Sequence, residues 1–108
     1  MVEVENELFA LVVAVKQSDT YKEYDRWRNI LKTNPELFKR VNEYRIENYM
    51  LQTSEDDGTL EERIEKFAAE NEELSEEPRV RAFLDAELAL CRMLQEITNR
   101  VVKGIDFE

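Results

Sequence analysis

This chain has very few places to turn. Two prolines and two glycines occur in 108 residues, so the elements between turns must be long. The prolines mark the corners. "LKTNPELFKRV" (31–41) and "LSEEPRVRAFL" (74–84) each run from a leucine through polar residues to proline, then into an apolar helical pattern. Proline pushes the residue before it out of the α region. It is tolerated at the first helical position, where its missing N–H would have had no partner. Each stretch therefore reads as a helix end, an elbow and a new helix start. Charged residues make up 37% of the chain, chiefly Glu, Lys and Arg, which are good helix formers. The expected fold is all-α: about five helices in an antiparallel bundle, with two long helices at about 35–53 and 78–103, in one domain over residues 1–108.

Apolar spacing places the helices. Leu8, Leu11, Val12 and Val15 form the stripe of helix one (about 4–17), with Phe9 and Val13 off it. A helix apolar on more than one side is expected to be buried on two. Ser18 or Asp19 caps helix two, which carries Tyr21, Tyr24, Trp27, Ile30 and Leu31. Asn34 caps helix three, with Pro35 at its first position. Gly58 and the box "TLEE" (Thr59 with Glu62) open helix four, whose narrow stripe is Leu60, Ile64, Phe67 and Leu74. Helix five follows the second elbow to about Lys103, with Gly104 as its C-cap and "IDFE" as a frayed tail. A shift of 43 residues lays Tyr24 on Phe67, Leu31 on Leu74, Pro35 on Pro78, Leu37 on Val80 and Val41 on Leu84. The unit of short helix, elbow and long helix is thus used twice.

Charge is unevenly placed. Of the net −10, residues 55–77 contribute −9, with 11 acids against Arg63 and Lys66, while residues 1–54 contribute −1 and residues 78–108 nothing. Such a segment is a solvated face or a surface for a basic partner. Nucleic-acid binding requires clustered Lys and Arg, and Lys39–Arg40 and Arg79/Arg81 are too sparse for that. The longest apolar run, "LFALVVAV" (8–15), is too short to span a bilayer, and "MVEVENE" has the wrong charge for a signal peptide. The expected location is the cytoplasm, with no membrane contact.

The chain contains no histidine and one cysteine. That removes Ser–His and Cys–His nucleophiles and Glu-x-x-His metal pairs. Cys91, between Leu88 and Leu94, reads as a buried thiol acting as a small apolar residue. Neither a cofactor nor a metal is expected. One enzymatic alternative exists: Glu61, Glu62 and Glu65 share a helical face that could hold Mg²⁺, as in all-α nucleotide pyrophosphohydrolases. Those enzymes pair it with an E-x-x-D helix, and here Ala82 stands three residues before Asp85. The expected function is non-enzymatic: a homodimer that also binds another protein. Its candidate interface is either the apolar face of helix one (Leu8, Phe9, Val12, Val13) or the aromatic face around Tyr24, Trp27 and Tyr49.

Three stretches, "SDTYKEYDRWRNILKTNPEL", "VNEYRIENYMLQ" and "EEPRVRAFLDAELALCRMLQEITNRVV", resemble the YlbF/YmcA family of small helical regulators of Gram-positive bacteria. The resemblance spans about Leu8 to Lys103. It implies an all-α, self-associating protein without catalysis. It further implies a subunit of a complex that modulates mRNA processing, in the control of competence, biofilm and sporulation. One branch of the family has a Cys-rich C-terminal tail linked to iron–sulfur binding; this sequence stops at "GIDFE", so no cluster is expected.

Overall fold

The computed structural model describes residues 2–106. Met1, Phe107 and Glu108 lie outside the described residues, and with the last two goes half of the expected frayed tail. Six helices occur: α1 (Glu5–Gln17), α2 (Asp19–Lys32), α3 (Pro35–Gln52), α4 (Leu60–Glu70), α5 (Glu72–Glu76) and α6 (Pro78–Gly104). No strand occurs among the described residues. The fold is all-α, and α3 and α6 are the two long helices expected.

The corners form as their chemistry requires. Ser18 closes α1 and opens α2 at once: its hydroxyl donates to the Val15 carbonyl at 2.6 Å and accepts from the Tyr21 N–H at 3.1 Å. Asn34 Oδ1 accepts from the Leu37 N–H at 3.2 Å, with Pro35 next in line. At the second elbow the cap is Glu77, whose Oε2 accepts from the N–H groups of Arg79 (2.8 Å) and Val80 (3.0 Å).

Three local expectations change. The predicted fourth helix divides at Asn71, which accounts for the sixth element. Asn71 brings both its side-chain amide (2.8 Å) and its backbone N–H (3.1 Å) to the Phe67 carbonyl, closing α4 before α5 begins. The "TLEE" capping box does not form. The Asp57 carboxylate captures the Thr59 hydroxyl at 2.5 Å, and Arg63 Nε donates to the same oxygen at 3.2 Å. Gly104 does not end α6 in the left-handed region. The Ile105 N–H still reaches the Val101 carbonyl at 3.1 Å, and the left-handed residue is Asp106 (φ 55°). Gly58, at φ 93°, does need to be glycine.

The chain divides into two compact units. The first holds α1, α2 as far as Arg28, and α6 from Phe83 onward; the second holds residues 29–82. Leu31, Leu37, Val41, Phe67, Leu74 and Val80 make the core of the second unit. The 43-residue pairing is visible there: Leu31 and Leu74 are both buried, as are Leu37 and Val80 on the far sides of their elbows. In the first unit Phe83 is fully buried and Ala86 nearly so.

Two burial expectations for the first unit are overturned. α1 contains no buried residue. Val13 and Val15 are half-buried, while Leu8, Phe9, Leu11 and Val12 are exposed. One neighbouring side is all this unit supplies to a helix apolar on two. Cys91 is exposed rather than buried. It lies about 100° round the helix from half-buried Leu90, on the flank of exposed Leu88.

Candidate functional site

In the first unit, α1 and the second half of α6 leave a groove of about 310 Å³ between them. Leu11, Val12 and Val15 line one wall and Leu90, Leu94 and Ile97 the other; Tyr21 and Lys16 complete it. The spacing explains the walls, since residues three and four apart on a helix share a face. Lys16 is the one charged side chain in the lining. The apolar surface continues beyond the groove. Leu8, Leu11 and Val12 are 39–44% exposed, Phe9 is 70% exposed, and Leu88, Leu94, Val101 and Val102 of α6 are 40–54% exposed.

Beside this surface sits an aromatic cluster. Tyr24 stacks on Phe83 (centroids 5.5 Å apart, planes at 30°) and touches Tyr21 at 6.2 Å. The Arg28 guanidinium lies 5.2 Å from the Tyr24 centroid, and its hydrogen bond to Asp25 raises its pKa further. Trp27 is held by its own helix: its indole N–H donates to Glu23 Oε1 at 2.7 Å, and Arg26 covers the ring at 4.7 Å. That indole bond and the Arg26 bond hold the Glu23 carboxyl below its usual value. Of the predicted interface residues, Leu8, Phe9 and Val12 stand exposed on α1 and Val13 is half-buried there. Tyr24 and Trp27 are half-buried within the first unit. Tyr49 belongs to the second unit and is 67% exposed.

The second unit has a groove of its own, about 330 Å³, between the end of α3 and α4. Met50, Leu51 and Phe67 supply its apolar part, and Glu47, Arg63, Lys66 and Glu70 its rim. Phe67 is stacked on Tyr44, centroids 5.0 Å apart. Arg45, next to Tyr44, donates to Asn42 Oδ1 at 3.1 Å, so both members of the Tyr44–Arg45 pair are tied to structure. Sequence reasoning missed Leu90, Leu94 and Ile97 as one wall, and Met50 beside Phe67. The 3.6-residue pattern marks such positions as apolar without saying which ones a neighbour leaves uncovered.

Glu61, Glu62 and Glu65 lie on α4, all exposed. Among the described residues no group of three His, Cys, Asp or Glu side chains could hold a metal ion. Among the same residues no helix is long and apolar enough to cross a membrane. No curated protein and no solved structure matches the chain. The likeness that does exist is to a family as a whole, one described by control of a competence regulator and therefore a regulatory one. Its model, "Control of competence regulator ComK, YlbF/YmcA", matches residues 4–106, so this chain belongs to the YlbF/YmcA family.

Proposed function

We propose that this protein is a non-enzymatic regulator that works by binding, first to a second copy of itself and then to another protein. The observation that carries the reading is the state of α1: a 13-residue helix with no buried residue, beside a groove walled by leucine, isoleucine and valine. Four large apolar side chains of α1 and four of α6 remain about half exposed. Large apolar side chains exposed in this number on two neighbouring helices mark an interaction surface. A second copy related by a two-fold axis would bring two more helices of the same character, and four such helices close a bundle core. The family's regulatory role agrees with this mode of action. In this reading the dimer acts in the cytoplasm as an adapter within a complex that modulates mRNA processing or developmental control.

Light scattering tests the first step. The parent should give a mass near twice 12.9 kDa at micromolar concentration, and Leu94→Glu should give the monomer mass. A parent of monomer mass at that concentration would refute self-association. Co-purification from the native cell, with the partner identified by mass spectrometry, tests the second step.

A further inference from the structure

We infer that α1 pairs antiparallel with α1 of a second copy, about a two-fold axis between Ala10 and Leu11, so that Glu5 of each copy meets Lys16 of the other. This rests on the reading of the chain as self-associating, and it names the helix that meets its own copy and the direction in which it lies.

The outer seam of α1 carries the pairing. Glu5, Phe9, Val12 and Lys16 follow one another at spacings of 4, 3 and 4, the seam that one helix presents to another in a coiled pair. All four are exposed within one copy. Phe9 is 70% exposed and lies outside the lining of the groove against α6; Val12 is 44% exposed. Among the described residues neither Glu5 nor Lys16 makes an ion pair. The two stand ~16 Å apart along the helix, too far to reach each other.

Turned end for end, this seam is complementary to itself. Phe9 meets Val12 of the second copy, and Val12 meets its Phe9, so the centre is apolar. At either end of that centre a carboxylate meets an ammonium: Glu5 against Lys16 of the second copy, and Lys16 against its Glu5. On the flank, Leu8 (43% exposed) comes to lie beside Val15 of the second copy. A parallel pair would instead set Glu5 against Glu5 and Lys16 against Lys16. Like charges so placed reject that arrangement, and opposite charges favour the antiparallel one. The two-fold axis makes every contact twice. A second copy of this chain is the partner that fits, because each end of the seam carries the charge that the other end lacks.

The test is charge reversal in the full chain, with the dimer dissociation constant read from sedimentation over a dilution series at about 50 mM salt. Glu5→Lys alone should weaken the dimer about tenfold, and so should Lys16→Glu alone, because each sets like charges together twice. Mixing the two variants in equal amounts should restore a dimer as tight as the parent's, within about threefold, made of one chain of each kind. Both substitutions also oppose the helix dipole, but that cost would persist in the mixture, so the recovery isolates the contact. At about 300 mM salt the losses should shrink. Phe9→Ala, at the apolar centre, should weaken the dimer at least tenfold while circular dichroism stays unchanged, since Phe9 is exposed within one copy. Two single variants that dimerise as the parent does would overturn the inference. So would a mixture that recovers nothing, or full affinity in Phe9→Ala. In each of those cases a dimeric parent would leave self-association standing, with α1 meeting some other face of the second copy. A monomeric parent would refute both readings.

Discussion

Glu77 holds the second elbow through three bonds from one carboxylate: to two backbone N–H groups at the start of α6, and to Arg79 Nε at 2.7 Å. Partial burial works against its charge. The Arg79 hydrogen bond, the Val80 N–H and the Arg79 charge outweigh that and hold the carboxyl below its usual value of 4.5. A carboxyl lowered in the folded state stabilises fully above its unfolded pKa, and the contribution is lost as pH falls through the folded one. Glu77→Ala should therefore cost about 1 kcal/mol at pH 7. The gap in Tm between parent and variant should hold from pH 7 to about 5 and close towards pH 3. Thermal melts followed by circular dichroism at those pH values measure it; a gap undiminished at pH 3 would show that the charge is not what caps the helix. A second prediction at this scale concerns Phe83, fully buried and stacked on Tyr24. Phe83→Ala should cost about 3–5 kcal/mol by urea denaturation, whereas Cys91→Ser, at an exposed site, should stay within about 0.5 kcal/mol.

At the scale of elements, the elbows and the acidic segment behave differently. Asn34 gives α3 its one side-chain cap, so Asn34→Ala should cost about 1 kcal/mol in chemical denaturation. The segment 55–77 presents eleven acids, and α4 and α5 each bury a single residue, Phe67 and Leu74. Like charges so placed repel in the folded chain. The substitutions of Glu61, Glu65, Glu72 and Glu76 by Gln should raise the denaturation midpoint slightly. That gain should shrink at high salt, where the parent's repulsion is already screened. A gain independent of salt would trace instead to helix propensity. Proline placement made the elbows legible in the sequence, and the apolar register carried over from one to the other. The break at Asn71 was not legible. It depends on one amide finding the Phe67 carbonyl rather than solvent, and no periodicity encodes that choice.

For the whole molecule, self-association couples stability to concentration. If the α1 and α6 faces close against a second copy, Tm should rise with protein concentration, because binding that favours the folded chain adds to its stability by mass action. Leu94→Glu should abolish that rise. Melts across a hundredfold range of concentration check both, and a flat Tm in the parent would count against the dimer.

The sequence by itself determined the all-α class, the two long helices, the corners at Ser18, Asn34–Pro35 and Pro78, and the family. These follow from local terms, namely proline stereochemistry, capping side chains and helical periodicity, which act within a few residues of one another. The tertiary structure decided which apolar positions are covered. Val41 and Phe83 are fully buried, while Phe9, Ile46 and Met50, equally apolar in the sequence, stand in the open. Burial depends on which face a helix turns towards its neighbour, and only packing sets that. The groove between α1 and α6 arises at that level, since its walls come from opposite ends of the chain.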